Sequence, residues 1–448
     1  MRKKICFIQP TYRDKDGVLF QGDSIFIHSL ALPILSATVP PDWEKEFRFE
    51  YFDDIDYRTD ASVIGITSMG YDIIHGQEIA EEFKRRGKTV IFGGYQAHFS
   101  APRLRGFCDS IVFGNPGPRQ MAGILRDIVT GNLAPTYDAG VHMNFPFDYS
   151  VLDGKNIRCT SALGSIGCGN DCEFCCTAAV YHGRYYLRRL EHVIADLRAA
   201  RARGRWMGFV DSNIYANREY LGRLCAAMIA AKLDIKWGAE GTIDLGRDPE
   251  TLRAMKHAGC ELLFVGIETP NQASLDSVSK PYSAEGQLEA VRRIHEAGIA
   301  VAGYFLMGLD GDTAETFDQI YQFIRRARVN LPVLNLLLPA PGTRTFDRLD
   351  REGRLLVRTE DEFLRNNLSY NISCNRCFYV PKLMSAEGTA RKFAELHGRL
   401  GSPWQVLRRS VTGNLLTFPI LLAKNLELRR DARKMLAAVE GPPGRGRG

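Results

Sequence analysis

Eight residues constrain this chain more than any other stretch: Cys168-Gly169-Asn170-Asp171-Cys172-Glu173-Phe174-Cys175. Three thiols separated by three and then two positions let a loop fold back on itself, so that three thiolates converge on one inorganic cluster. Thiolate is the usual ligand of iron–sulfur iron, and a four-iron cluster takes about four ligands. Three cysteines therefore leave one iron open to a small molecule, which suits chemistry as well as electron transfer. The competing readings are a zinc knuckle and a group of buried thiols. Zinc sites more often use paired C-x-x-C units that supply four ligands, so the spacing favours the iron–sulfur cluster.

A chain of 448 residues has room for two or three domains. With 45% hydrophobic and 25% charged residues, it has the composition of an ordinary globular protein. The net charge is +6, and from Lys424 onward seven Lys/Arg stand against three Asp/Glu. Most of the excess thus sits in the tail, and a nucleic-acid partner is not indicated. The cysteines number 11, an odd count, and no leader peptide precedes Ile5, so a reducing cytoplasm is expected. Leu415 to Ala423 is the most apolar late stretch, but it is short and holds Pro419, so no transmembrane segment is expected.

In chain order, Lys4–Pro10, Phe47–Phe52, Val63–Thr67, Thr89–Phe92 and Ser110–Phe113 read as strands, with an amphipathic helix over 72–86. This alternation predicts an α/β, doubly wound parallel sheet. Two of its strands run into glycines, Gly93-Gly94 and Gly114-Asn115-Pro116-Gly117. Such glycines either admit a ligand to the backbone at the carboxyl edge of the sheet or only make tight turns. Residues 136–156 are Pro/Gly/Asp/Asn-rich and read as a linker. Ile157–Gly167 then opens a second βα series, with strands Trp206–Val210, Ile235–Ala239, Glu261–Gly266, Ala300–Met307 and Val333–Leu338. Six strands of this kind make a second parallel βα series, with ligands expected at the carboxyl ends of its strands. The expected domains are 1–135, 157–344 and a mostly helical extension over 345–440, followed by a disordered tail, 441–448. Cys374 and Cys377 form a C-x-x-C with no other cysteine pair nearby, and read as structural thiols.

The cysteine loop resembles that of the radical S-adenosylmethionine (radical SAM) superfamily, and the six-strand βα series resembles the partial (β/α)6 barrel of its cores. The resemblance implies that the open iron of a [4Fe-4S] cluster chelates S-adenosylmethionine, and that reductive cleavage yields a 5′-deoxyadenosyl radical. "VIGITSMGYD" and "VIFGGYQAHFSAP" resemble ligand-facing loops of the cobalamin-binding domain that precedes many such cores, which makes Gly93, Gly94 and Gly114 candidate cobalamin contacts. Two features depart from that pattern. There is no D-x-H-x-x-G to ligate cobalt from below, and Gly114-Asn115-Pro116-Gly117 stands where Gly-Glu-x-Glu is usual. "FYVPKLMSAEG" resembles the extension of cobalamin-type members, including hopanoid methylases.

The resemblance makes Cys168, Cys172 and Cys175 the cluster ligands, and Phe174 beside the last of them is a candidate either to line the adenine or to exclude water. "FVDSN" resembles the segment that receives the methionine amino group, which implicates Asp211 and Asn213, although Asp and Asn at a strand end are also ordinary turn residues. Glu240 and Glu268 stand at strand mouths, where carboxylates can accept from ribose hydroxyls or a polar substrate. Arg188 is a candidate for the methionine carboxylate, through planar bidentate pairing. His182, Arg184, Tyr185 and Tyr186 follow the same loop. "GYFLMGLDGD" and "LLLPAPGT" resemble the fifth- and sixth-strand segments along the adenine.

The expectation is a radical SAM enzyme that abstracts hydrogen from an unactivated carbon of a small-molecule, secondary-metabolite substrate. It would act with an external one-electron reductant, flavodoxin- or ferredoxin-like. Cobalamin-dependent C-methylation is the first reading. Cobalamin-independent dehydration of a sugar or aminosugar diol, as in antibiotic biosynthesis, is the second. An iron–sulfur electron-transfer protein is the third.

Overall fold

The computed structural model describes residues 2–440 apart from 15–16, 278–281, 368–375 and 412–414. Cys374 and the tail at 441–448 lie outside the described residues. The chain forms two compact units. One is Met1–Gly164 with Tyr186–Gly208 and Leu364–Leu368; the other is Ser165–Tyr185 with Phe209–Phe363 and Ser369–Gly448.

The first unit carries β1 (Lys4–Gln9), β2 (Ile25–Ile27), β3 (Glu44–Phe49), β4 (Val63–Thr67), β5 (Thr89–Gly93), β6 (Ser110–Asn115), β7 (Thr136–Val141) and β8 (Ile157–Ala162). Six of them make a sheet in the order β3-β1-β4-β5-β6-β7, parallel at every pairing. All five residues of β4 are buried, as expected for a strand covered on both faces. Ile5, Phe7, Val63, Ile91 and Val112 pack with Leu32 of helix Ala31–Thr38 and Ile124 and Leu125 of helix Pro118–Thr130. Burying a side chain of this size contributes roughly 1.5–3 kcal/mol. Gly131 ends the second of these helices in the left-handed conformation, φ 75°.

The segment read as a linker is not irregular throughout. Thr136–Val141 forms β7 and pairs in parallel with β6. Its sequence, TYDAGV, lacks an apolar run because β7 is an edge strand, largely open to solvent. The second strand of the chain, β2, has three residues and also carries no periodic signal.

Further along lie β9 (Ser165–Gly167), β10 (Tyr185–Leu187), β11 (Trp206–Phe209), β12 (Lys236–Thr242), β13 (Cys260–Glu268), β14 (Ala300–Met307) and β15 (Leu331–Leu336). In the first unit β8 pairs in parallel with β2, and the curled half-barrel sheet of the second unit runs β15-β14-β13-β12. In the second unit β12 through β15 pair in parallel. Helices Arg218–Ala230, Pro249–His257, Ala284–Glu296 and Ala314–Arg326 alternate with these strands. Their starts are capped by Asn217, Asp248, Ser283 and Thr313, residues whose side chains satisfy free first-turn N–H groups. Helices Ala386–Leu400, Pro403–Ser410 and Phe418–Glu440 follow. No helix among the described residues is long and apolar enough to cross a membrane.

Candidate functional site at the strand ends of the second unit

The cysteine loop joins β9 to helix Cys176–Tyr181. Gly167 enters it at φ 82°, and a Cβ there would stand 2.2 Å from the carbonyl oxygen of Arg184, so only glycine fits. The Cys175 N–H donates to the Cys172 carbonyl at 3.1 Å and tightens the turn between the last two thiols. Cys168, Cys172 and Cys175 are all half-buried. Cys6, Cys159, Cys225 and Cys260 are buried, and burial pushes the first three thiols up to about 12 and the fourth well above its ordinary value. Those four are structural. Among the described residues no three His, Cys, Asp or Glu side chains close around a single metal ion. Three accessible thiols on one tight loop, with open space beside Gly169, nonetheless form a donor set that fits a bulkier iron–sulfur cluster.

Ion pairs hold this loop from outside. Arg344 reaches Asp171 at 2.9 Å, and Arg348 reaches Glu173 at 2.9 Å and Asp310 at 2.8 Å. Arg354 binds Asp310 at 2.8 Å and Glu352 at 2.6 Å. The surrounding acids hold the Arg348 and Arg354 guanidiniums above their usual range, against the effect of burial. Arg344 and Arg348 lie one turn apart on helix Arg344–Arg351, so one helix face meets two acids of the loop. This clamp was not read from the sequence. The four-residue spacing of the arginines was visible there, but their partners on the cysteine loop lie more than 170 positions away.

Asp211 follows β11, is buried, and accepts from the Ser165 hydroxyl just ahead of the cysteine loop. Burial, with Asp211 and Cys168 nearby, pushes the Tyr185 hydroxyl up to about 12. Asn213 is buried, and its side-chain oxygen accepts from the Tyr215 N–H at 3.1 Å, an Asx turn. Glu240, on β12, is open to solvent yet crowded by protein. That crowding raises its carboxyl, while a 2.9 Å bond from the Tyr304 hydroxyl opposes the shift.

Glu268 ends β13 at a bulge, with φ 63°. A non-glycine residue there is strained, and such strain clusters at functional sites. The Gln287 amide donates to the Ile267 carbonyl at 2.7 Å and holds the bulge. The Glu268 carboxylate folds back over Gly266, where a Cβ would lie 2.8 Å from Oε1. Beyond β14, Asp312 accepts from the N–H groups of Gly308 at 2.8 Å and Leu309 at 3.0 Å, and from Ser274. Burial raises its carboxyl to about 6 against those bonds. Phe174 packs into a cluster with Leu306, Leu309, Leu337 and Tyr379, beside the segment expected along the adenine.

Two sets of candidate residues have structural explanations of their own. Arg188 lies in the first unit and is buried, with its guanidinium bound to Asp196 at 2.7 Å and to the carbonyls of Met143, Leu163 and Phe145. It stacks 3.7 Å from the Phe147 ring centroid. A guanidinium so committed is a structural anchor, which corrects its reading as a partner of the methionine carboxylate. Gly94 and Gly114, also in the first unit, have φ 96° and 79°. Added Cβ atoms would stand 2.4 Å from the Ser68 carbonyl and 2.3 Å from the Gly140 carbonyl. At Gly93 the Val112 carbonyl would lie at 3.2 Å. The protein's own backbone requires the first two glycines, so they carry no separate evidence of a ligand.

The family model for the radical SAM superfamily matches residues 164–324. The bacteriochlorophyllide d C-8(2)-methyltransferase of Chlorobaculum tepidum is 28% identical over 378 residues, 79% of this chain and 82% of that protein. The C-12(1)-methyltransferase of the same organism is 30% identical over 367 residues, 78% of each chain. The solved structure of the radical S-adenosylmethionine methyltransferase TsrM from Kitasatospora setae, with cobalamin and a [4Fe-4S] cluster bound, superposes with a TM-score of 0.71. It covers 98% of this chain and 100% of that one at 15% identity, a likeness of fold. Together with the strand-end thiol loop, the identity sustained over most of both chains shows that this protein is an enzyme of the radical SAM superfamily, whose members use a [4Fe-4S] cluster and S-adenosylmethionine.

Proposed function

We propose that this enzyme transfers a methyl group to an unactivated carbon of a sizeable, largely apolar small molecule, in a cobalamin-dependent reaction. The observation that carries the reading is the similarity to two bacteriochlorophyllide methyltransferases over nearly four fifths of the chain. The fold shared with a cobalamin-bound methyltransferase supports the cofactor. When bound, the cluster and S-adenosylmethionine supply the radical that takes hydrogen from the substrate, and cobalamin supplies the methyl group. The electron comes from an external flavodoxin- or ferredoxin-like reductant.

The chain's own residues would divide the work as follows. Cys168, Cys172 and Cys175 bind three irons as thiolates and leave the fourth free. The Arg344 and Arg348 clamp keeps their loop closed. Glu268, fixed by its bulge, accepts from the ribose hydroxyls. Asp211 orients Ser165 at the base of the loop and faces the methionine end, with Asn213 shaping the turn beside it. Phe174 shields the adenine from water. Glu240 and Tyr304 present a bonded carboxylate–phenol pair toward the substrate. The dehydration alternative finds no support, because the relatives matched over most of this chain are methyltransferases.

The test is anaerobic reconstitution with iron, sulfide and hydroxocobalamin, followed by desalting. Near-stoichiometric retention of a corrin spectrum is expected. Loss of all corrin, with continued formation of 5′-deoxyadenosine, would overturn methyl transfer from cobalamin.

A further inference from the structure

A cavity of about 800 Å³ opens at the opposite end of the second unit's strands from the cysteine loop. Its floor is the strand starts: Glu261 near the start of β13, Ile299 and Ala300 at the start of β14, and Asn330 just before β15. Arg325, Arg328 and Arg408 stand exposed on its walls. None of the three pairs with a carboxylate among the described residues. Glu261 is the one acid among the lining residues, and it is already bonded to Lys236 at 2.9 Å and Lys256 at 2.6 Å. The cavity therefore presents a net positive wall.

Arg409 is the decisive residue. It lines the cavity yet is only 4% exposed. Nε donates to Asn425 at 2.9 Å and Nη2 to the Leu400 carbonyl at 2.9 Å. Nη1 has no hydrogen-bond partner. Burial lowers this guanidinium to about 10, so it stays charged at neutral pH. A buried cation without a paired anion is costly. Asn330 and Asn425 fix the surroundings: Asn425 donates to the Asn330 carbonyl at 3.0 Å, and His295 Nε2 meets Asn330 Oδ1 at 3.1 Å. The polar floor is thus built, and one donor is left over.

The rim is apolar. Val411, Leu415 and Leu416 line the cavity while 59%, 87% and 52% exposed, and the buried Ile299 lines it too. Exposed aliphatic side chains beside arginines match a ligand with an acid head and a hydrocarbon tail. We propose that this cavity binds an anionic amphiphile, with its phosphate or carboxylate head on Arg409 Nη1 and the arginine wall, and its tail along Val411, Leu415 and Leu416.

The test is calorimetric titration of the full-length, cluster-loaded protein with decyl phosphate below its micelle threshold, with inorganic phosphate, and with decyl maltoside. One saturable decyl phosphate site is expected, with at least tenfold weaker binding of the other two. Arg409→Gln should weaken decyl phosphate at least tenfold, the order expected for a lost charge-assisted bond. Should that buried change prevent folding, the exposed double variant Arg328→Ala/Arg408→Ala carries the test, with a several-fold loss expected. Absence of saturable binding, or unchanged binding by the double variant, would overturn the site. Equal affinity for inorganic phosphate or for decyl maltoside would overturn the amphiphile.

Discussion

Two kinds of strand-end loop in this chain carry unusual residues, and they teach opposite lessons. In the first unit the glycines after β5 and within β6 look like openings for a ligand. Their space is already filled by the carbonyls of Ser68 and Gly140. In the second unit the loop after β9 carries three cysteines that no packing explains. They are half-buried, beside a glycine with nothing within 4 Å, and gripped by arginines from a distant helix. A residue that the fold itself requires says little about ligands, whereas one that the fold leaves unexplained says more. The buried cysteines supply the internal control, since burial alone accounts for them.

The sharpest way to break this comparison is to remove the three loop thiols together. Cys168→Ala/Cys172→Ala/Cys175→Ala should lose all bound iron after anaerobic reconstitution and all cleavage of S-adenosylmethionine. Iron analysis and detection of 5′-deoxyadenosine read both losses. Retained cluster in this variant would return the loop to the same standing as the glycines.

The glycine side of the comparison predicts a loss of stability. Gly114→Ala forces a side chain into the left-handed region, at roughly 1–2 kcal/mol, and drives its Cβ against the Gly140 carbonyl. We expect a fall of at least about 2 kcal/mol in thermal or denaturant unfolding, in the absence of any corrin. Unchanged stability, with a defect only in cobalamin retention, would make Gly114 a ligand contact after all.

The strand cores were legible because buried parallel strands are near-continuous apolar runs: β4 is buried throughout, and all but one residue of β14 is. The thiol loop was legible because its spacing is local. The rest depended on distance or on exposure. Edge strand β7 is polar because one side faces water. The arginine clamp joins residues 175 positions apart at Arg348 and Glu173. Arg188 follows the cysteine loop in sequence but turns into a buried pair with Asp196, a partner whose role nothing in the local pattern announced.

Glu268 tests whether backbone strain marks function. Its φ of 63° is held by a bulge and by Gln287 rather than required by a clash. Glu268→Gln keeps the shape and removes the charge. A charge-assisted hydrogen bond is worth roughly 1.5–3 kcal/mol, so S-adenosylmethionine affinity should fall about tenfold or more. Equilibrium binding measures it. Unchanged affinity with lost turnover would move this carboxylate from the ribose to the substrate.

The smallest expected effect belongs to Cys377, which resembles the loop cysteines in sequence and the buried ones in structure. It stands in a C-x-x-C with Cys374, a spacing that suits metal. Yet it is buried at 6% exposure, between Arg376 and a core formed by Phe378 and Tyr379. The Phe378 ring lies 6.0 Å from that of Phe363, and the Tyr379 hydroxyl donates to the Gly308 carbonyl. Its neighbours therefore tie this segment to the loop beyond β14 through packing and hydrogen bonding, without need of a metal. Cys377→Ala removes one buried sulfur, at about 1–2 kcal/mol of stability. Iron content and S-adenosylmethionine cleavage should match the unmodified enzyme. A drop in iron toward that of the triple loop variant would show that burial does not exclude a thiol from cluster binding here, and the contrast between explained and unexplained residues would fail at the point where it is most easily checked.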